Sequence, residues 1–105
     1  MELDNSVYIA GPMTGHKDFN FPAFHEMAAS LRARGFTVIN PAEIAESEPV
    51  PPGTKPYDYY LRRAIVGLLK CRIIYMLPGW STSKGACIEQ RIAVALGMPV
   101  IGAEA

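Results

Sequence analysis

The chain has 105 residues, half of them hydrophobic and 19% charged, which suffices for one domain with a packed core and excludes wholesale disorder. Ten basic and ten acidic residues cancel, so no net field draws in a nucleic acid polymer or an anionic membrane, and any bound anion must be held by local geometry. No apolar run reaches the length of a membrane span, and the opening MELDNSVYIAG lacks the charged-then-apolar build of a secretory signal; a cytoplasmic protein is expected.

In chain order, residues 6–10, SVYIA, are a short apolar run ending at Gly11 and read as a buried strand. The loop GPMTGHKDFN follows over 11–20. Pro22 suits the first turn of a helix running to about Arg34, where its missing N–H costs no bond. Phe24, Met27, Ala28 and Leu31 share one face of that helix, and Gly35 is the stop. FTVIN (36–40) is β-branched and short, a second strand closed by Pro41. Residues 45–56, AESEPVPPGTKP, hold four prolines and a glycine; they read as a loop and a candidate lid, too short and central for a linker. A helix over 57–70 carries Leu61, Ile65, Leu68 and Leu69 along one side, and RIIYML (72–77) is a third strand. A helix over 85–96 turns Ile88, Ile92, Ala95 and Leu96 inward and ends at Gly97, after which PVIGA (99–103) is a fourth strand.

This β-α-β-α-β-α-β alternation predicts a three-layer, Rossmann-like α/β sandwich with a short parallel sheet, right-handed crossovers and helices on both faces. Ligands in such sheets bind beyond the carboxyl ends of the strands, where the strand order reverses. The loops 11–20 and 78–85 both lie at such ends. They converge on one crevice if the first and third strands are neighbours, the flavodoxin-like order.

The first loop offers the backbone N–H groups of Gly11 to Gly15 and the Thr14 hydroxyl, but it is neither a GxGxxG fingerprint nor a Walker loop. Taken alone, it reads as a plain turn. In the second, GWSTSKGACIEQ, any of Ser81, Thr82 and Ser83 could cap the helix that follows, and capping uses only one hydroxyl. The helix amides and dipole, with Lys84 beside them, suit an anion, and Gly85 keeps the crevice floor open. Glu89 stacks on Gly85 one turn on, bordering the Ile88–Ile92–Leu96 stripe at the rim of the core. The helix N-terminus favours its ionised form, as a nucleophile requires; a glutamate that only complements the helix dipole fits the same position. Tyr8, Trp80 and the cluster Tyr57, Asp58, Tyr59, Tyr60 put aromatic surface at the same end, for stacking on a base or for core and oligomer contacts. Cys71 and Cys87 are too few for a disulfide framework and read as small apolar residues, with a nucleophile as the alternative. His16 and His25 share no metal-ligand spacing with acids, so no metal or cofactor is expected.

Taken together, YIAGPMTG, FNFPAFHEMAASLRARGFTVINPAE, LPGW, SKGACIE and ALGMPVI resemble the nucleoside 2-deoxyribosyltransferase-like family, in its small, often phage-encoded branch related to deoxynucleoside 5′-monophosphate N-glycosidases. The resemblance runs from Tyr8 to Ile101. It implies a flavodoxin-like fold and a glutamate, here Glu89, that attacks the anomeric carbon of deoxyribose. Ser83 and Gly85 complete the Ser-x-Gly-x-x-x-Glu motif, with Ser83 at a 5′-phosphate, and Tyr8 with Gly11, Pro12, Met13, Thr14 and Gly15 matches the substrate-binding loop. Relatives carry an aspartate in the middle helix where Ala64 stands, a second acid where Arg72 stands, and an arginine where Thr14 stands, with His16 and Lys17 nearby. Asp58 lies six residues from position 64 and points elsewhere. The implied function is cleavage or transfer at the N-glycosidic bond of a (deoxy)nucleoside or nucleotide, with a non-catalytic nucleotide-binding module as the alternative. The implied partners are that small molecule and a second copy of the chain in a homo-oligomer.

Overall fold

A computed structural model of the protein describes residues 5–105; Met1 to Asp4, part of the N-terminal stretch read above for a signal, lie outside the described residues. The sheet has four parallel strands, β1 (Ser6–Ala10), β2 (Thr37–Ile39), β3 (Ile73–Met76) and β4 (Val100–Gly102), in the order β2-β1-β3-β4. Tyr8 is in register with Ile39 on one side and Ile74 on the other. The chain steps from β1 outward to β2 and then returns to the far side of β1 for β3, so the order reverses between β1 and β3. This is the flavodoxin-like α/β arrangement, and it brings the two glycine loops together as the alternation predicts.

All five residues of β1 are buried, as a central strand covered on both faces must be. Its alternate side chains feed two cores. Val7 and Ile9, with Val38, meet Phe24, Ala28 and Leu31 of α1 (Phe21–Ala33). Tyr8 and Ala10, with Ile74 and Met76, meet Leu68 of α3 (Tyr57–Leu69) and Ala86 and Ala93 of α4 (Lys84–Ala95). Gly35 and Gly97 end α1 and α4 with positive φ, +94° and +76°, the left-handed turn that glycine adopts without a Cβ penalty.

The structure corrects the sequence reading of these elements in three places. Pro41 does not merely close β2; it opens a short helix, α2 (Pro41–Glu46), so the proline-rich loop begins only at Ser47. Asn40, 1% exposed, caps that helix by accepting the Ala42 N–H at 3.0 Å, and proline at the first helical position is pre-set for the turn. The second correction concerns the inward face of α4. It is Ala86, Glu89 and Ala93 that are buried, whereas Ile88 and Ile92 are half-buried and Ala95 and Leu96 face solvent. Two alanines let the helix sit close to the sheet, and Glu89 therefore lies inside the buried face instead of on its rim. In α3, Leu61, Ile65 and Leu68 turn toward the interior while Leu69, one step round the helix, is 57% exposed. Among the described residues no helix is long and apolar enough to cross a membrane.

Candidate active site

A cavity of about 620 Å³ opens beyond the carboxyl ends of β1 and β3. Its floor is built where the two strands end. Gly11 follows β1 so closely against the β3 exit that a Cβ there would lie 2.8 Å from the Leu77 Cβ. Gly85 opens the first turn of α4, and a Cβ on it would lie 3.1 Å from the Tyr57 hydroxyl. Glycine at both positions keeps the two loops in contact.

Glu89 is the chemical centre of the cavity. It is 6% exposed, and its Oε2 accepts a hydrogen bond from the phenol of Tyr8, itself fully buried in the central strand. Burial pushes the Glu89 carboxyl up from its ordinary 4.5 to about 7, with the Tyr8 hydrogen bond pulling the other way. This overturns the expectation that the helix N-terminus keeps it ionised. Glu89 is the sixth residue of α4, past the first turn where the dipole acts, and desolvation prevails. Burial, then the charge and hydrogen bond of Glu89, raises the Tyr8 phenol well above its usual value, so it stays a proton donor. The Tyr57 phenol is raised as well, by burial and then by the Glu89 charge.

Of the residues singled out in the sequence, Tyr8, Gly11, Pro12, Met13, Thr14, Ser83, Gly85 and Glu89 all line the cavity, and Gly15 does not. Ser83 is the cap of α4, its Oγ accepting the Ala86 N–H at 3.2 Å, while the Thr82 hydroxyl donates to the Gly79 carbonyl at 2.7 Å. Two of the three loop hydroxyls thus have structural partners. The Lys84 ammonium stands 5.9 Å from the centre of the Tyr57 ring. Trp80 faces away from the cavity: its indole N–H donates to the Ala103 carbonyl at 2.9 Å and its ring packs on the α3–α4 core. Cys71 is buried, and the half-buried Cys87 thiol lies 3.5 Å from the Ser81 carbonyl. Asp58 points outward and pairs with Arg62 at 3.2 Å. Ala64 lines the cavity, whereas Arg72, just before β3, stands at the opposite end of the sheet.

The remaining wall is built from the proline-rich loop, read in the sequence as a candidate lid, and from Glu48, Arg63 and Phe19, which the sequence did not single out. Glu48, Pro52 and Gly53 line the cavity from the proline-rich loop, opposite Arg63 and Tyr60 of α3. The loop is tied down where the Tyr60 hydroxyl accepts the N–H groups of Gly53 and Lys55, at 3.0 and 3.1 Å. Those bonds, Lys55 first, lower the Tyr60 pKa. The Glu48 side chain is 11% exposed and its Oε1 lies 2.7 Å from Arg63 Nε. That contact is an ion pair outside hydrogen-bond geometry, so Oε1 itself accepts no hydrogen bond; the carboxylate also meets the Tyr59 phenol, whose pKa is raised by burial and then by the hydrogen bond and charge of Glu48. Phe19 also lines the cavity. Asp18, Phe19 and Asn20 are all left-handed, with φ of 51°, 54° and 60°, a run that costs non-glycine residues roughly 1–2 kcal/mol each. Asn20 secures it by donating to the Pro12 carbonyl at 3.0 Å. The Phe19 ring lies against Gly53, where a Cβ would come within 3.1 Å of its Cζ. Among the described residues no group of three His, Cys, Asp or Glu side chains could hold a metal ion.

The DUF4406 family model, whose description is a domain of unknown function, matches residues 5–102. The chain belongs to the DUF4406 family. No curated protein matches it. Among solved structures, this DUF4406 chain is similar to the 2-deoxyribosyltransferase of the psychrotolerant bacterium Bacillus psychrosaccharolyticus, with a TM-score of 0.70 and 19% identity over 92% of this chain and 70% of that one. At that identity the likeness establishes a shared fold.

Proposed function

We propose that this DUF4406 domain cleaves or transfers the N-glycosidic bond of a (deoxy)nucleoside or nucleotide, with Glu89 as nucleophile. The observation that carries the reading is the buried Glu89 carboxylate, held by the Tyr8 phenol at the floor of a cavity beyond the sheet's switch point. The fold shared with a 2-deoxyribosyltransferase supports it.

In the first half-reaction a Glu89 oxygen forms a bond to C1′ as the C1′–N bond breaks. The base leaves with the electron pair and takes up a proton, and a glycosyl ester remains on the enzyme. Water then completes a hydrolysis, or a second base completes a transfer. Glu89 must be ionised to attack, and with its pKa at about 7 both forms are populated at neutral pH. Tyr8 orients the carboxylate by a hydrogen bond that needs no rearrangement during attack. Ser83, Gly85 and the loop from Gly11 to Thr14 hold the sugar and its 5′ group. The site acts on a small molecule and works within a homo-oligomer; Val94, Leu96, Val100 and Ile101, between 40% and 58% exposed, supply apolar surface for such contacts.

One observation favours a second reading. Ala64 lines the cavity where related enzymes hold an acid, and a binding module that never turns its ligand over needs none. Incubation with deoxy- and ribonucleosides and their monophosphates, followed by chromatography of released base, separates the two. Release by the wild type that Glu89→Ala abolishes is the expected result. Binding of an intact nucleotide without release would support the binding module, and release retained by Glu89→Ala would sink the nucleophile assignment.

A further inference from the structure

The acid missing at position 64 has a neighbour from another part of the chain. Glu48 descends from the loop after α2 into the same cavity that Ala64 and Glu89 line. It is the second carboxylate lining the cavity, after Glu89, and its placement is costly. The side chain is almost fully withdrawn from water, and Oε1 touches Arg63 without a hydrogen bond. The carboxylate is paired with Arg63 and touches the Tyr59 phenol, yet Oε1 receives no hydrogen bond and so keeps acceptor capacity for a ligand in the cavity.

The surroundings specify the partner's shape. Phe19 lines the cavity from three successive left-handed residues and rests on Gly53, so strained backbone places a flat aromatic face beside the loop that carries Glu48. Arg63, paired with Glu48, adds a donor next to the acceptor. A planar apolar face with an acceptor and a donor at one edge matches a heterocyclic base: the ring stacks and its edge is read by hydrogen bonds. Glu89, Ser83 and Gly85 lie on the other elements of the cavity, β3's loop and α4, and leave this wall free of the sugar chemistry.

We propose that Glu48, held by Arg63 in a cavity that Phe19 also lines, is the base-selecting residue, accepting an N–H donor from the edge of an amino-substituted nucleobase. The inference rests on the reading that the ligand is a nucleoside or nucleotide. It does not require that the ligand be cleaved.

The test compares ligands that differ by one donor: 2′-deoxyguanosine with 2′-deoxyinosine, and 2′-deoxyadenosine with purine 2′-deoxyriboside. Affinities are measured by titration calorimetry on Glu89→Gln, which cannot turn them over, and on the double variant with Glu48→Gln; base release is measured on the wild type. A hydrogen bond to a charged group predicts that the amino member of at least one pair binds about 10- to 100-fold tighter. Glu48→Gln, which keeps the shape but leaves only a neutral carbonyl as acceptor, should lower that ratio about 5- to 10-fold. The ratio, unlike the affinity, does not respond to a merely structural role of Glu48. Equal binding within both pairs, a ratio that Glu48→Gln leaves unchanged, or no nucleoside binding at all would overturn the proposal. The comparison within pairs needs only the unsubstituted Glu48, so a poorly folding variant does not blunt it. Amino discrimination without base release would remove the catalytic reading and keep this one; base release without discrimination would do the reverse.

Discussion

Replacing Glu89 by glutamine should stabilise the protein at neutral and alkaline pH. The carboxyl rises from 4.5 to about 7 on folding, so the folded state binds its proton more tightly than the unfolded chain does. The associated stability is complete below the unfolded value near 4.5 and is lost as pH climbs through about 7. At about 1.4 kcal/mol per pKa unit, this rise removes roughly 3 kcal/mol between pH 4.5 and pH 8. At 6% exposure, solvent does little to reduce that figure. Glutamine cannot ionise, and its carbonyl can still accept the Tyr8 hydroxyl. Urea unfolding of both proteins at pH 5, 6, 7 and 8 measures the difference directly. Wild-type stability should fall across the series relative to Glu89→Gln. At pH 8 the variant should lead by on the order of 2–3 kcal/mol, or roughly 10 °C or more in melting temperature for a domain of this size. Contributions from other titrating groups are common to both proteins and cancel in the comparison. Parallel pH curves, or a variant less stable at pH 8, would refute the claim that desolvation governs Glu89.

Three smaller perturbations probe the supports of the site. Tyr8→Phe removes the bond that opposes the rise of Glu89; carbon-detected NMR titration should find the carboxyl about 1–2 pKa units higher still, since hydrogen bonds to charged groups are worth roughly 1.5–3 kcal/mol. Gly11→Ala would put a Cβ 2.8 Å from Leu77, and denaturation should show a loss of about 1–3 kcal/mol from overpacking between the β1 and β3 exits. Ser83→Ala deletes the cap of α4 and should cost about 1 kcal/mol in the same assay.

The architecture was legible because period and punctuation agree. The apolar run SVYIA, the α1 stripe from Phe24 to Leu31, and Gly35 and Gly97 at the helix ends each mark an element that the structure contains. Pro41 shows where punctuation is ambiguous, because proline ends a strand and begins a helix with equal ease; Asn40 before it and Glu43 after it were the signs of a helix start. The face of α4 shows the limit of periodicity. Large apolar residues mark a stripe from Ile88 to Leu96, yet the sheet accepts small alanines and a glutamate, because close packing at a site demands room that isoleucine would fill. Most of the residues proposed for the site do meet in the cavity, since the strand order joins their loops. Glu48, Arg63 and Phe19 gave no comparable signal. Their meeting depends on the path of a proline-rich loop and on three left-handed residues, and neither has a periodicity to read.

The central claim is that Glu89 bonds to the sugar. The most direct measurement is the mass of the protein after incubation with a 2′-deoxynucleoside and a rapid acid quench, followed by peptide mapping. A gain of one deoxyribosyl group on the peptide carrying Glu89, absent from Glu89→Gln, is the expected result. Released base with no adduct on the wild type, or an adduct on a different residue, would contradict it.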